Sequence, residues 1–229
     1  MRSELIFNGQ PFSAFDAYVA TSNFLDGAAK DYTSVSVLGR SGDLQISNNR
    51  YKNITVKVRV YVRSNMEQNI RAMRSYLESV NGYARLELSD QPNEYRIGLF
   101  KDMFAPKPYD RNVGAVELTF DCKPQRYLKS GEIPVSASEL WNPTYFDSHP
   151  LIRCYGNGSL TINSQTITVA SNPYDYVDID CDIMDAFCGA NNANSYVSFN
   201  TDSVVLRSGT NGISHDMTKV EITPRWYEI

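Results

Sequence analysis

The chain has 229 residues, 42% of them hydrophobic and 21% charged, an ordinary globular composition long enough for one large or two small domains. It contains no run of 18 apolar residues, which excludes a transmembrane helix. The net charge of −4 is split: residues 1–130 hold 18 of the 22 Lys and Arg and 14 of the 26 Asp and Glu, whereas residues 131–229 hold 4 and 12. A basic first part and an acidic second part predict a domain boundary near residue 130. The basic part has no dense Lys/Arg run, so sequence-specific nucleic-acid binding is not expected.

The opening segment, Met1 to Gly9, lacks the apolar core of a signal peptide, so the chain is expected to fold in the cytoplasm where it is made. Leu5-Ile6-Phe7-Asn8-Gly9-Gln10-Pro11-Phe12 reads as a strand, an Asn-Gly turn and a second extended piece. Residues 32–38 read as a short strand with Val35 and Val37 on one face. Gly39-Arg40-Ser41-Gly42-Asp43 follows as a turn whose glycines suit positive φ. Residues 54–62, Ile-Thr-Val-Lys-Val-Arg-Val-Tyr-Val, alternate without a break. Ile54, Val56, Val58, Val60 and Val62 face a core; Thr55, Lys57, Arg59 and Tyr61 face away.

Ser64 and Glu67 fit a capping box at the start of a helix. Met66, Ile70, Met73, Leu77 and Val80 then recur at steps of four and three, one apolar helical face that predicts docking on a sheet. Gly82 is expected at the C′ position. Residues 86–88, 95–100 and 115–120 are further strands, with a Pro-bearing loop at 101–112. Residues 131–150, with Pro134, Pro143 and Pro150, read as a connector leading to the edge of a second domain. Beyond Leu151 the pattern is a series of short strands, punctuated by turns such as Asn157-Gly158 and Asn211-Gly212, as in a sandwich or jelly roll. The fold class is therefore mainly β: an α+β N-terminal domain with one helix on a sheet, then a C-terminal β-sandwich.

Chemistry-bearing patterns are sparse. Cys122, Cys154, Cys181 and Cys188 form no C-x-x-C pair and are expected as free thiols. His149 and His215 are too few for a zinc site. Gly39-Arg40-Ser41-Gly42 resembles a hydrolase serine motif only in letters, because a strand rather than a helix follows it. Asp178, Asp180 and Asp182 alternate, as calcium ligands could, yet lack the glycine and glutamate of an EF-hand; a solvated strand face is expected. Trp141 and Trp226 are core or interface anchors, or stacking platforms for sugars. No catalytic, metal or cofactor site is expected.

The order of several segments resembles the distal tail (Dit) protein family of long-tailed phages and prophages. They are Gly39-Arg40-Ser41-Gly42-Asp43, Asn49-Arg50-Tyr51-Lys52-Asn53 with the alternating strand, and Gly82-Tyr83-Ala84-Arg85-Leu86 after the helix. Leu118-Thr119-Phe120-Asp121-Cys122-Lys123-Pro124-Gln125-Arg126-Tyr127, Ser148-His149-Pro150-Leu151-Ile152 and the terminal Pro224-Arg225-Trp226-Tyr227 continue it. The resemblance spans nearly the whole chain. It implies a ring-forming β-rich domain over 1–130 and a galectin-like β-sandwich over 131–229. It also implies a homohexameric ring in the virion tail tip, assembled in the bacterial host cytoplasm. The ring would join the major tail tube protein to a tail-associated hub or fibre protein, with a receptor-binding protein as a further partner. The role is structural, with no membrane contact. Arg40, Arg50, Lys57, Arg59 and Tyr61 are then the expected subunit-interface residues. The alternative reading is a carbohydrate-binding β-sandwich protein.

Overall fold

The computed structural model describes residues 3–101, 104–110 and 112–229. The fold is mainly β, with one α-helix among the described residues. The chain separates into two compact units, one running to Arg126 with Ile229 joined to it, the other Tyr127–Glu228.

In the first unit one sheet carries the core. Its strand order is Gln10–Pro11, Leu5–Phe7, Ala84–Leu88, Glu94–Phe100, Gly114–Leu128, Ile54–Val62, Ala17–Ser22. Asn8 and Gly9 both take positive φ and close the first hairpin, with Phe7 opposite Gln10, as the Asn-Gly pair predicts. Ile54–Val62 lies antiparallel to Gly114–Leu128 over nine paired positions, from Val62 opposite Gly114 to Ile54 opposite Cys122. Val56, Val58, Val60 and Val62 are fully buried as the alternation predicts, while Ile54 at the strand's start is only half-buried. The helix Met66–Ser79 covers this face: Met66, Ile70, Met73 and Leu77 join the four valines, Leu118 and Phe120 in one core.

The helix starts differently from the expectation. Asn65 precedes it in a left-handed conformation without a side-chain cap. The Ser64 hydroxyl instead donates to Asp16 Oδ2 at 2.6 Å, which ties the strand–helix junction to the end of the Phe12–Phe15 turn. Arg71 binds the Glu67 carboxylate, so no capping box forms. At the other end Val80 is already extended, and Gly82, with φ +78°, lies one residue beyond C′.

A separate two-stranded sheet leaves this unit. Among the described residues Lys30–Val35 pairs with Leu44–Tyr51, and with no other strand, to make a hairpin arm. The short strand expected at 32–38 is thus shifted to 30–35, Val37 lies in the loop, and the whole return strand 44–51 escaped sequence reasoning.

The second unit is a sandwich of two five-stranded sheets. One has the order Glu139–Asn142, Gly209–His215, Gly158–Ile162, Gln165–Val169, Val197–Phe199. The other runs Asn191–Asn192, Asp185–Cys188, Tyr176–Asp180, Leu151–Tyr155, Lys219–Thr223. Both contribute to a single core that includes Ile152, Leu160, Ile167, Ile179, Leu206 and Ile222. Asn211-Gly212 is not a turn but the middle of a strand. Asn211 is fully buried, its amide donating to the Arg207 and Gly209 carbonyls at 2.8 and 3.0 Å and its oxygen accepting from the Arg207 N–H. Val204 and Leu206 are buried, and their segment makes a bridge, Leu206 to Ser148, rather than a strand.

Candidate assembly surface

The arm's geometry follows from its register. Residues opposite each other in an antiparallel pair share a face. Thr33 stands opposite Ile46 and Val35 opposite Leu44, so one face at the far end of the arm carries Val35, Leu44 and Ile46. All three are exposed, as are Val37 and Leu38 in the connecting loop. Gly39 and Gly42 turn that loop with φ +78° and +83°. The opposite face is polar, with the Ser34 hydroxyl bonded to Gln45 at 2.9 Å. Near the base the pairing slips between Lys30 and Tyr32, and Asn49 takes φ +52° there. The slip lets Arg50 Nε reach Asp31 at 2.7 Å, with Lys52 Nζ at 3.4 Å. The Arg50 hydrogen bond outweighs burial and holds the Asp31 carboxyl below its ordinary value.

Two of the five expected interface residues therefore sit on the arm, but at opposite ends. Arg40 is at the tip, its N–H bonded to the Val37 carbonyl, and Arg50 is at the base. The other three lie together on the outer face of Ile54–Val62. Lys57 Nζ is 3.6 Å from Glu117, a solvated pair of the kind worth little in isolation. The Arg59 guanidinium donates to the Tyr109 hydroxyl at 2.9 Å and lies 5.7 Å from the Tyr61 ring centre, while the Tyr61 and Tyr109 rings are 6.1 Å apart. The Tyr109 hydrogen bond is the main cause that raises the Arg59 pKa. Sequence reasoning missed Tyr109, Asp31 and Glu117, which long-range pairing alone brings in. It also missed the apolar arm tip, whose one signal was the two-residue step from Leu44 to Ile46.

The remaining candidates resolve into structural roles. Ser41 lies in the exposed arm loop. The Asp178 and Asp180 carboxylates are not a solvated row. Asp178 is buried and takes both Arg153 Nε and Nη2, at 2.7 and 2.8 Å. Asp180 takes Arg225 Nη1 and Nη2 at 2.7 and 2.9 Å. Burial pushes the Asp180 carboxyl up, but Arg225 and the Asp182 and Ile183 N–H groups bring it below its ordinary value. Ile183, past the end of the strand Tyr176–Asp180, is exposed. Among the described residues no group of His, Cys, Asp and Glu is arranged to hold a metal ion. All four cysteines are free, and burial pushes the Cys122, Cys154 and Cys181 thiols up to about 12, far from a reactive thiolate. Trp226 is buried in the sandwich core, whereas Trp141 is exposed.

Comparison with known proteins places this architecture. Residues 19–122, which span the arm, the alternating strand, the helix and most of the long strand, match the family model of the phage tail protein RIFT-related domain. The matched span lies within the first unit, which is thus similar to a phage tail protein domain. The whole chain is similar in structure to the Dit protein of phage SPP1, described as a paradigm of the hub adsorption apparatus in phages that infect Gram-positive bacteria. The TM-score is 0.73 over 97% of each chain, at 12% identity. The resemblance to distal tail proteins drawn from the sequence is therefore borne out by both comparisons. No curated protein matches the chain by sequence.

Proposed function

We propose that the protein is a distal tail adaptor that assembles as a homohexameric ring and joins the tail tube to the hub or fibre proteins at the virion tail tip. The role is structural, with no chemical step. The arm is the observation that carries it. A lone two-stranded hairpin is marginal in water, yet this one exposes Val35, Leu38, Leu44 and Ile46 at its far end. Exposed apolar clusters of this kind mark contacts with another chain. A closed ring joins two different patches on each copy, so a projecting arm and a separate receiving surface suit it. Arg40 at the arm tip and the Lys57–Arg59–Tyr61 row are the polar parts of that contact in this reading. The fold shared with a hub protein supports the position at the tail tip.

Substituting the arm tip tests the reading. Leu38→Asp with Ile46→Asp places charge on the exposed apolar end of the arm. The doubly substituted protein is expected to keep the thermal midpoint of the parent and to lose the ring formed in the presence of tail tube and hub proteins. Arg40→Ala with Arg50→Ala is expected to weaken the ring, with the Arg40 substitution dominant because Arg50 is engaged by Asp31. Rings that form unchanged from the Leu38/Ile46 variant would overturn the arm's role.

A further inference from the structure

Four asparagines in the chain stand directly before glycine: Asn8, Asn81, Asn157 and Asn211. Asparagine is a thermolabile side chain, and glycine exposes its reactivity, because the missing Cβ leaves the glycine N–H unshielded. Once base removes that proton, the glycine nitrogen attacks Asn Cγ. A C–N bond forms and closes a five-membered imide, while the side-chain amide C–N bond breaks and ammonia leaves. Water then opens the imide at either carbonyl, its hydroxyl staying on carbon and its proton going to the nitrogen. The products are aspartate and isoaspartate, and no oxidant or reductant enters.

Ring closure needs a free side-chain amide, an unbonded glycine N–H and a main chain able to turn between the two. The fold denies at least one of these at three of the four pairs. Asn211 is fully buried, and its amide and oxygen are engaged by Arg207, Gly209 and Asn163. The Gly212 N–H donates to Asn163 Oδ1 at 3.0 Å. Asn157 Oδ1 accepts from the Asn172 N–H at 2.9 Å, and Gly158 begins the strand Gly158–Ile162 opposite Val169. Asn8 is held at φ +48° in the tight hairpin, with Phe7 opposite Gln10 and its own N–H donating to the Arg85 carbonyl at 2.8 Å. Turning Asn8 into the imide geometry would part that pair.

Asn81 meets none of these restraints. The helix Met66–Ser79 has ended, Val80 is already extended at ψ 111°, and the next strand begins at Ala84. Asn81 and Gly82 are both exposed. Among the described residues no hydrogen bond holds the Asn81 amide or the Gly82 N–H. Gly82 has φ +78°, and a Cβ built on it would meet nothing within 4 Å, so the space around the attacking nitrogen is open. The geometry points to Asn81 as a modification site, converted with water to isoaspartate and aspartate while the fold protects the other three asparagines. The new carboxylate lies just past the C-terminus of the helix, the end where the dipole disfavours negative charge. Isoaspartate also lengthens the main chain two residues before Tyr83, whose hydroxyl accepts from Asn53 Nδ2 at 2.8 Å. Asn53 joins the arm's return strand to Ile54–Val62, so the change falls beside the foot of the arm. This inference is independent of ring formation.

The test incubates the folded full chain in warm, mildly alkaline buffer made with heavy-oxygen water. Peptide mass spectrometry follows aspartate and isoaspartate at each of the four positions. Asn81 is expected to react at least about tenfold faster than each of the others, with isoaspartate the larger product and solvent oxygen in both. In urea the four rates are expected to converge, because each asparagine then precedes glycine in an open chain and protection by local structure is gone. Asn81→Gln, whose ring would need six members, is expected to remove the fast reaction at position 81 and to leave the thermal midpoint unchanged. Equal rates at all four positions of the folded chain, or a faster rate at Asn8, Asn157 or Asn211, would overturn the proposal. So would aspartate at position 81 without isoaspartate, since direct hydrolysis of the side chain yields aspartate alone. A gap between Asn81 and the others that persists undiminished in urea would also overturn it, because the fold would then not be what sets the rates.

Discussion

Asp178 and Asp180 show what a local pattern leaves out at the scale of single residues. Alternating aspartates on a strand read as a solvated row, because the sequence positions of their partners carry no hint of contact. Arg153 lies 25 residues before Asp178, and Arg225 lies 45 residues after Asp180. Each guanidinium makes two hydrogen bonds to its carboxylate, the strong bidentate form. The Asp180 carboxyl has its pKa below the ordinary 3.8 when folded. Its contribution to stability is therefore fully present above about pH 4 and is lost as the pH falls through the lower folded value. Asp180→Asn is expected to cost about 1–3 kcal/mol at pH 7, the range for leaving a charged partner without its hydrogen bonds. In urea unfolding followed across pH, the difference from the parent should shrink below pH 4; a gap that widens toward acid would contradict this account. Ser64 teaches the same lesson: the capping pattern is local, but its hydroxyl found Asp16 through the tertiary fold.

Elements with a clear apolar period were legible in the sequence. The strand Ile54–Val62 and the helix Met66–Ser79 lie where alternation and the four–three spacing put them, because burial of one face is what those patterns encode. Met73 is fully buried against the sheet. Met73→Ala is expected to destabilise the chain by about 2–5 kcal/mol, as emptying a core site does, read as a lower midpoint in denaturant with an unchanged slope. A cost below about 0.5 kcal/mol, typical of surface sites, would mean that the helix does not cover the valines. The arm was not legible for the converse reason. It has no core face within this chain, so its return strand, Leu-Gln-Ile-Ser-Asn-Asn-Arg-Tyr, is polar and exposed almost throughout. The Asn-Gly signal also divides by context: Asn8-Gly9 makes the expected turn, whereas Asn211 is buried and uses its amide to bind the chain beside it. Glycine after asparagine permits a turn without requiring one.

For the whole molecule, the two-part composition and the ordered punctuation carried the reading furthest. The distribution of short strands beyond Leu151 encodes a sandwich, and both sheets are present. What the candidate interface would contact was not legible, because in the proposed ring the second surface belongs to another copy and leaves no period in the sequence. The arm's exposed tip and the outward Lys57–Arg59–Tyr61 row are the surfaces on which the proposed assembly rests. The most direct test is the mass and symmetry of the species formed when the purified chain is mixed with the proposed tail tube and hub partners, measured by light scattering and negative-stain microscopy. The account predicts a six-fold ring in which this chain contributes about 155 kDa, six copies of 25.8 kDa. A chain that remains a 25.8 kDa monomer in that mixture would contradict it.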